Sequence, residues 1–310
     1  VSQAMALNNP AFNNPAFQDP RAVQTYPGGS QAANLRGASS TASASRAGLD
    51  VGAQAQMEGA YAAPAAGAHQ TDRMTVEDTV VKTVGLFAIL LVTAVVGWVW
   101  TLGALSPAES TSQNILPLVI GGLGGFVLAM VIIFTSRKKV RPALIFAYAA
   151  LEGLFIGGIS AIFEFQFTGI VVQATLATLA VVGVTLALFA SGKIRASKKA
   201  TKIFLVAMVG YLAFSLLNLV LMWTGVSDSA FGLRSEPSPL FGIPWGVLIG
   251  VFVVILAAYS LVLDFDQIQQ GVRNGAPRQL AWMGAFGIMV TVVWLYVEIL
   301  RIIAIARSSN

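Results

Sequence analysis

Seven long apolar stretches occupy this chain from Val84 almost to its end. They lie at 84–105, 115–135, 143–163, 170–190, 203–223, 244–263 and 280–306, with the sixth able to run on to Gln270. At about 1.5 Å of rise per helical residue, each can cross a hydrocarbon core of about 30 Å. No water reaches the backbone there, so a spanning run closes its hydrogen bonds within itself as a helix. The chain therefore reads as all-α: a polytopic membrane protein with a seven-transmembrane-helix bundle over 73–310.

Composition agrees. Of 310 residues, 56% are hydrophobic and 11% charged, and the mean hydropathy is +0.73, which a soluble domain does not carry. There is no cysteine, which excludes disulfides, thiol nucleophiles, thiolate metal sites and iron–sulfur clusters. The one histidine, His69, lies outside every span. A net charge of +5 would suit nucleic acid, but the basic residues sit in short loops between spans and read as a topology signal. The lipid bilayer is the expected partner, and nucleic acid is not.

Residues 1–72 are rich in Ala, Gly, Ser, Asn and Gln and are expected to be a disordered, cytoplasmic, low-complexity tail. The tail holds a tandem repeat, Asn8-Asn9-Pro10-Ala11-Phe12 and Asn13-Asn14-Pro15-Ala16-Phe17, readable as a docking peptide or as part of a solvated linker. No cleavable secretory signal is visible. At Thr75 the character changes. Thr75 and Asp78 have capping-box spacing, and the helix that starts there would run through Lys82 into the first span.

Orientation follows from the loops. The second loop carries Arg137, Lys138, Lys139 and Arg141, the fourth Lys193, Arg195, Lys198, Lys199 and Lys202, and the sixth Arg273 and Arg278. The alternate loops carry only Arg234. The basic loops and the N-terminal tail are thus expected on the cytoplasmic side of a plasma membrane. Trp98, Trp100, Trp223 and Trp245 then fall near the outer interface and Trp282 near the inner one. Arg301 and Arg307 at the outer end fit this poorly, unless the last helix tilts or re-enters. Three G-x-x-x-G pairs, Gly121/Gly125, Gly153/Gly157 and Gly246/Gly250, point to close helix contacts inside the molecule.

Four carboxylates lie within or at the lip of the spans: Glu152, Asp264, Asp266 and Glu298. An acid in a span is costly, and is usually tied to ion or proton movement or to a structural pair. Glu152 is about 14 Å down the third helix, with no cation beside it in its own helix. It is therefore protonated, paired across helices or facing water. Asp264 and Asp266 point about 200° apart on a helix, so they cannot share a site. Asp264 is expected inward; Asp266 is expected to be solvated and paired toward Arg273. Glu298, in the outer half of the seventh helix, has Arg301 one turn on as a possible counter-ion. Acids at three depths could form a cation or proton path. Oxygen ligands suit calcium, for which Asp264 and Glu152 are the candidate ligands, and a proton-sharing cluster would sense pH.

Several enzymes are excluded. No span holds a histidine for a serine intramembrane protease or a lysine for a retinal Schiff base, and the opposed aspartates of an aspartyl intramembrane protease are missing. No phosphate loop or metalloprotease motif is present. The chain is expected not to be an enzyme and to hold no cofactor.

The stretches LVLDFDQIQQGVRNGAP and WLYVEILRII resemble the Bax inhibitor family. MTVEDTVVKT, LEGLFIGGIS and the NNPAF repeat are similar to a bacterial branch of it, and the likeness covers essentially Met74 to Arg307. The resemblance implies a seven-helix bundle with the last helix at its centre and, for some members, a pH-sensitive calcium leak. It also implies an acid in a D-T-Q motif of the sixth helix paired with an aspartate of the seventh. Asp264 matches the first acid, with Phe265-Asp266 in place of Thr-Gln. The second acid falls on Glu298 in one register and on Thr291 in the other. Depth favours Thr291, which would remove the pair and leave Glu152 as the natural partner of Asp264.

Two functional classes follow. The first is a slow, pH-gated leak of calcium or protons past Glu152, Asp264 and Glu298. The second is a modulator of a membrane-bound protease or other quality-control partner, with the tail as its handle. A secondary transporter is weaker, since no inverted repeat is visible.

Overall fold

In the computed structural model, residues 73–103, 113–137, 139–226, 229, 231–239 and 242–308 are described. The tail and its repeat lie outside them. Among the described residues seven α-helices form: α1 (Val76–Thr101), α2 (Leu116–Ser136), α3 (Pro142–Gln166), α4 (Ile170–Ala190), α5 (Lys198–Trp223), α6 (Trp245–Arg273) and α7 (Ala281–Ser308). Short 3-10 turns, Gly232–Ser235 and Arg278–Leu280, precede α6 and α7. All seven helices are long and apolar enough to cross a membrane.

Local chemistry sets the helix starts. The Thr75 hydroxyl accepts from Asp78 N at 3.1 Å and opens α1, as the capping-box spacing predicts. Ser197 does the same for α5, accepting from Ala200 N at 3.2 Å. Pro142 opens α3, where its missing N–H is no loss. The helices outrun the hydropathy windows because hydropathy reports only the lipid-facing length. α1 starts eight residues before Val84, and α6 continues through Gln270 to Arg273.

α7 is the central helix. It packs against α1, α3, α4 and α6, and 56% of its most apolar window is buried, against 11% for α5. Large apolar side chains on the peripheral helices, such as Leu91, Phe126, Leu176 and Val206, stay exposed, as lipid contact requires. One core gathers Leu86, Ile145, Tyr148, Met283, Phe286 and Met289 between α1, α3 and α7. A second joins Ile170, Leu261, Leu295 and Leu300 between α4, α6 and α7.

The glycine pairs mediate contacts within the chain, as expected. A Cβ on Gly157 would run into the Ala94 carbonyl oxygen of α1, and one on Gly121 would lie 2.6 Å from the Leu151 carbonyl oxygen of α3. Gly246 and Gly250 of α6 receive Ile305 and Ile302 of α7. Small residues thus let backbones approach where lipid supplies no hydrophobic drive between helices.

The two ends of the bundle differ. At the basic end, Met74 N donates to Ala276 O at 2.7 Å, and Asp78 takes both Lys82 and Arg278, joining the start of α1 to the start of α7. Lys82 also lies over the Trp282 ring, 5.1 Å from its centroid. At the opposite end, Arg307 of α7 donates to Thr168 O and Gln173 Oε1, each at 2.9 Å. α7 runs unbroken between these ends. Its terminal arginines both have partners within the bundle.

Candidate functional site

The polar side chains that matter lie along α7. Asp264, on the α6 face that carries Leu261 and Ile268, is 0% exposed. Across the α6–α7 contact the Thr291 hydroxyl donates to its Oδ2 at 2.7 Å. Thr291 is itself buried. The register in which Thr291 stands opposite Asp264 is therefore the one the fold adopts. Asp266 points elsewhere and is half-buried, as the divergence of the two positions requires. Its partner is Gln270, whose Nε2 donates to Oδ2 at 2.8 Å. This corrects the expectation of an Asp266–Arg273 pair: the amide one turn on reaches the carboxylate, and no such ion pair forms among the described residues.

Glu152 of α3 is half-buried. Its carboxyl lies near the Tyr148 hydroxyl, one turn back, and against Gly125 of α2, where a Cβ would stand 3.0 Å from Oε2. The Tyr148 ring packs edge-on to Phe286 of α7, with centroids 4.9 Å apart. Asp264 thus bonds Thr291, while Glu152 sits beside Tyr148 and Gly125. Among the described residues, no group of three or more acidic or histidine side chains could hold a metal ion.

Glu298 lies two turns beyond Thr291 on the same face of α7, about 10 Å along the axis. It is buried and ion-paired with Arg301, the counter-ion expected from the sequence. The Tyr211 hydroxyl of α5 donates to Glu298 Oε2 at 2.9 Å and accepts from Arg301 Nη2. Next to this group, Arg234 of the 3-10 turn donates from Nη2 to Ser215 Oγ at 2.8 Å. Its guanidinium lies 5.6 Å from the Tyr211 ring centroid and 5.4 Å from that of Phe214. Between the two acidic levels, Ser160 of α3 shares a 2.7 Å hydrogen bond with the Tyr296 hydroxyl of α7.

Sequence reasoning misses the roles of Tyr211, Arg234 and Glu164. Tyr211 and Arg234 carry no local signal of their partners, which lie 87 and 19 residues away. Glu164 ends α3 and caps α4, accepting from Gly169 N and, at 3.0 Å, from Val171 N. Here a signal exists, since an acid shortly before a glycine that opens an apolar run is an anion for a helix N-terminus.

The arrangement is a buried row of oxygen and hydroxyl groups on one helix, with a single ion pair near one end. No curated protein and no solved structure matches the chain significantly. A family model described as Bax inhibitor 1 like matches residues 9–308, which takes in every helix and the whole α7 row. The chain is an integral membrane protein of the Bax inhibitor 1-like family.

Proposed function

We propose that the protein is a slow cation leak of the plasma membrane, passing calcium or protons along the α6–α7 seam under the control of pH. The basic end faces the cytoplasm in this reading. Its main support is Asp264, a carboxyl with no exposure at a contact between two spanning helices, hydrogen-bonded to Thr291. Burial makes the charge of such a group conditional on its surroundings, so proton uptake switches the affinity of the seam for a cation. Glu298 continues the row two turns on, and Glu152 offers a third acid near Tyr148, whose ring packs on Phe286 of α7. Calcium is the cargo here and needs no permanent site.

The test is calcium and proton flux in proteoliposomes across pH. Unmodified protein should show a pH-dependent leak, and Asp264→Asn should flatten the profile while the protein still folds. Identical profiles for the two overturn this reading.

A further inference from the structure

At the end of the bundle opposite the basic loops sits a buried arginine, Arg234. Arg234 is 7% exposed, yet no carboxylate among the described residues pairs with it. Its Nη2 is used by Ser215, its face by two rings, and its Nε is buried without a hydrogen-bond acceptor. Arg301 is close enough for the two guanidiniums to repel each other, and the one acid in the group, Glu298, is already held by Arg301 and Tyr211. A buried cation with an unused donor is costly and calls for an anion.

Beside Arg234 is a cavity of about 320 Å³, lined by Ser215, Asn218, Leu219, Met222, Phe231 and Arg234. Asn218 cannot supply an ionic contact, because its amide is spent on the 3-10 turn. It donates to Phe231 O at 3.2 Å and accepts from Leu233 N at 2.8 Å. Arg234 is therefore the charged wall of the cavity. Leu219, on the other wall, is 62% exposed on the lipid-facing side of α5, so the cavity borders lipid. Trp223 and Trp245, both exposed, flank this level, where aromatic side chains mark the headgroup region.

We propose that this cavity binds a phosphate group, with Arg234 as its principal ligand and an anionic phospholipid headgroup of the adjoining leaflet as its source. A guanidinium matches phosphate geometry with paired donors, and no carboxylate among the described residues is ion-paired with that of Arg234. The volume exceeds what one bare ion fills and falls in the range of sites that enclose a small molecule.

The experiment uses the full chain, purified in detergent and delipidated. It is titrated separately with phosphatidylglycerol, phosphatidylcholine and inorganic phosphate, reading thermal stability and ligand retention by native mass spectrometry. Phosphatidylglycerol should stabilise the protein and be retained above phosphatidylcholine. Arg234→Gln should weaken its binding by about tenfold or more, and Arg234→Lys by less. A response to inorganic phosphate of the same size, lost in Arg234→Gln, keeps the phosphate site and assigns it to a free anion. Equal retention of the two lipids, equal binding by Arg234→Gln and unmodified protein, or no binding of any probe overturns the proposal. If Arg234→Gln does not fold, Leu219→Trp fills the cavity from its lipid-facing wall. Undiminished phosphatidylglycerol retention in that variant overturns the proposal as well.

Discussion

Thr291 donates its hydroxyl to the Asp264 carboxyl across the α6–α7 contact at 2.7 Å, and both side chains are buried. One partner of the buried acid is thus a hydroxyl. A hydroxyl supplies one fixed donor and carries no charge, so any change in ionisation at this contact belongs to Asp264 alone. Thr291→Val keeps the shape and removes the donor. Loss of a hydrogen bond to a buried carboxyl should destabilise the bundle by about 1–3 kcal/mol. Thr291→Ser should recover most of that. Thermal unfolding of the three proteins in one detergent checks it, and equal midpoints for Thr291→Val and unmodified protein count against the bond.

A second acid at the same contact would change the chemistry. In Thr291→Asp two carboxyls meet within hydrogen-bonding distance, and they cannot both ionise without strong repulsion. One proton should then be shared, and the pair should titrate in two separated steps. In the proteoliposome assay the pH profile of Thr291→Asp should shift and broaden relative to unmodified protein. A profile that does not move would show that this contact does not govern flux.

How much of this could be read in the sequence depends on distance along the chain. The seven spans, the Thr75 cap, the divergence of Asp264 from Asp266 and the Glu298–Arg301 pair are all local, set by hydropathy, helical period or one-turn spacing. The Thr291 register was legible from depth, because facing residues of adjacent antiparallel helices share a level in the membrane. Tyr211 and Arg234 were not legible. Their partners are chosen by which helices pack side by side, and no period in α5 or in the loop before α6 encodes that choice. Asp266 shows a smaller failure of the same kind: charge suggested Arg273, but reach selected Gln270.

Tyr211 links α5 to the centre of the molecule. α5 is the least buried helix, and the hydroxyl of Tyr211 meets both Glu298 and Arg301. Tyr211→Phe retains the ring against Arg234 and deletes both hydrogen bonds. The expected loss is about 1–3 kcal/mol, because both partners are charged. It should show as faster amide exchange in the middle of α5 while α7 stays protected, since weakly packed elements open first. Unchanged α5 exchange in Tyr211→Phe would mean that the tether is not what holds this helix.

The α1–α3 contact gives a prediction that separates packing from helix propensity. A Cβ on Gly157 would strike the Ala94 carbonyl oxygen and lie 2.8 Å from Trp98 N, both backbone atoms that no rotamer change can move. Gly157→Ala must therefore push α1 away, at about 1–3 kcal/mol, the scale of overpacking a tight core. Gly183 of α4 has nothing within 4 Å of its would-be Cβ. Gly183→Ala should be neutral or stabilising by up to about 1 kcal/mol from helix propensity. Thermal unfolding of both variants decides the matter, and a harmless Gly157→Ala would refute the closeness of the two backbones.

The basic end offers the last test. Asp78 holds Lys82 of its own helix and Arg278 of the turn before α7, with its side chain only 11% exposed. The Arg278 carbonyl also accepts from Lys82 Nζ at 3.3 Å, so the acid organises two cations and a turn. Asp78→Asn removes the charge that both cations answer, leaving Lys82 and Arg278 facing each other. This should cost about 1–3 kcal/mol, the range for hydrogen bonds to charged groups. Arg278→Gln should cost less, because Lys82 remains paired in that variant. The double variant Asp78→Asn/Arg278→Gln should then be less destabilised than the sum of the singles, since the two residues share one interaction. Additive losses in thermal unfolding would show that the start of α1 and the start of α7 are held together by Met74 and Ala276 rather than by this ion cluster.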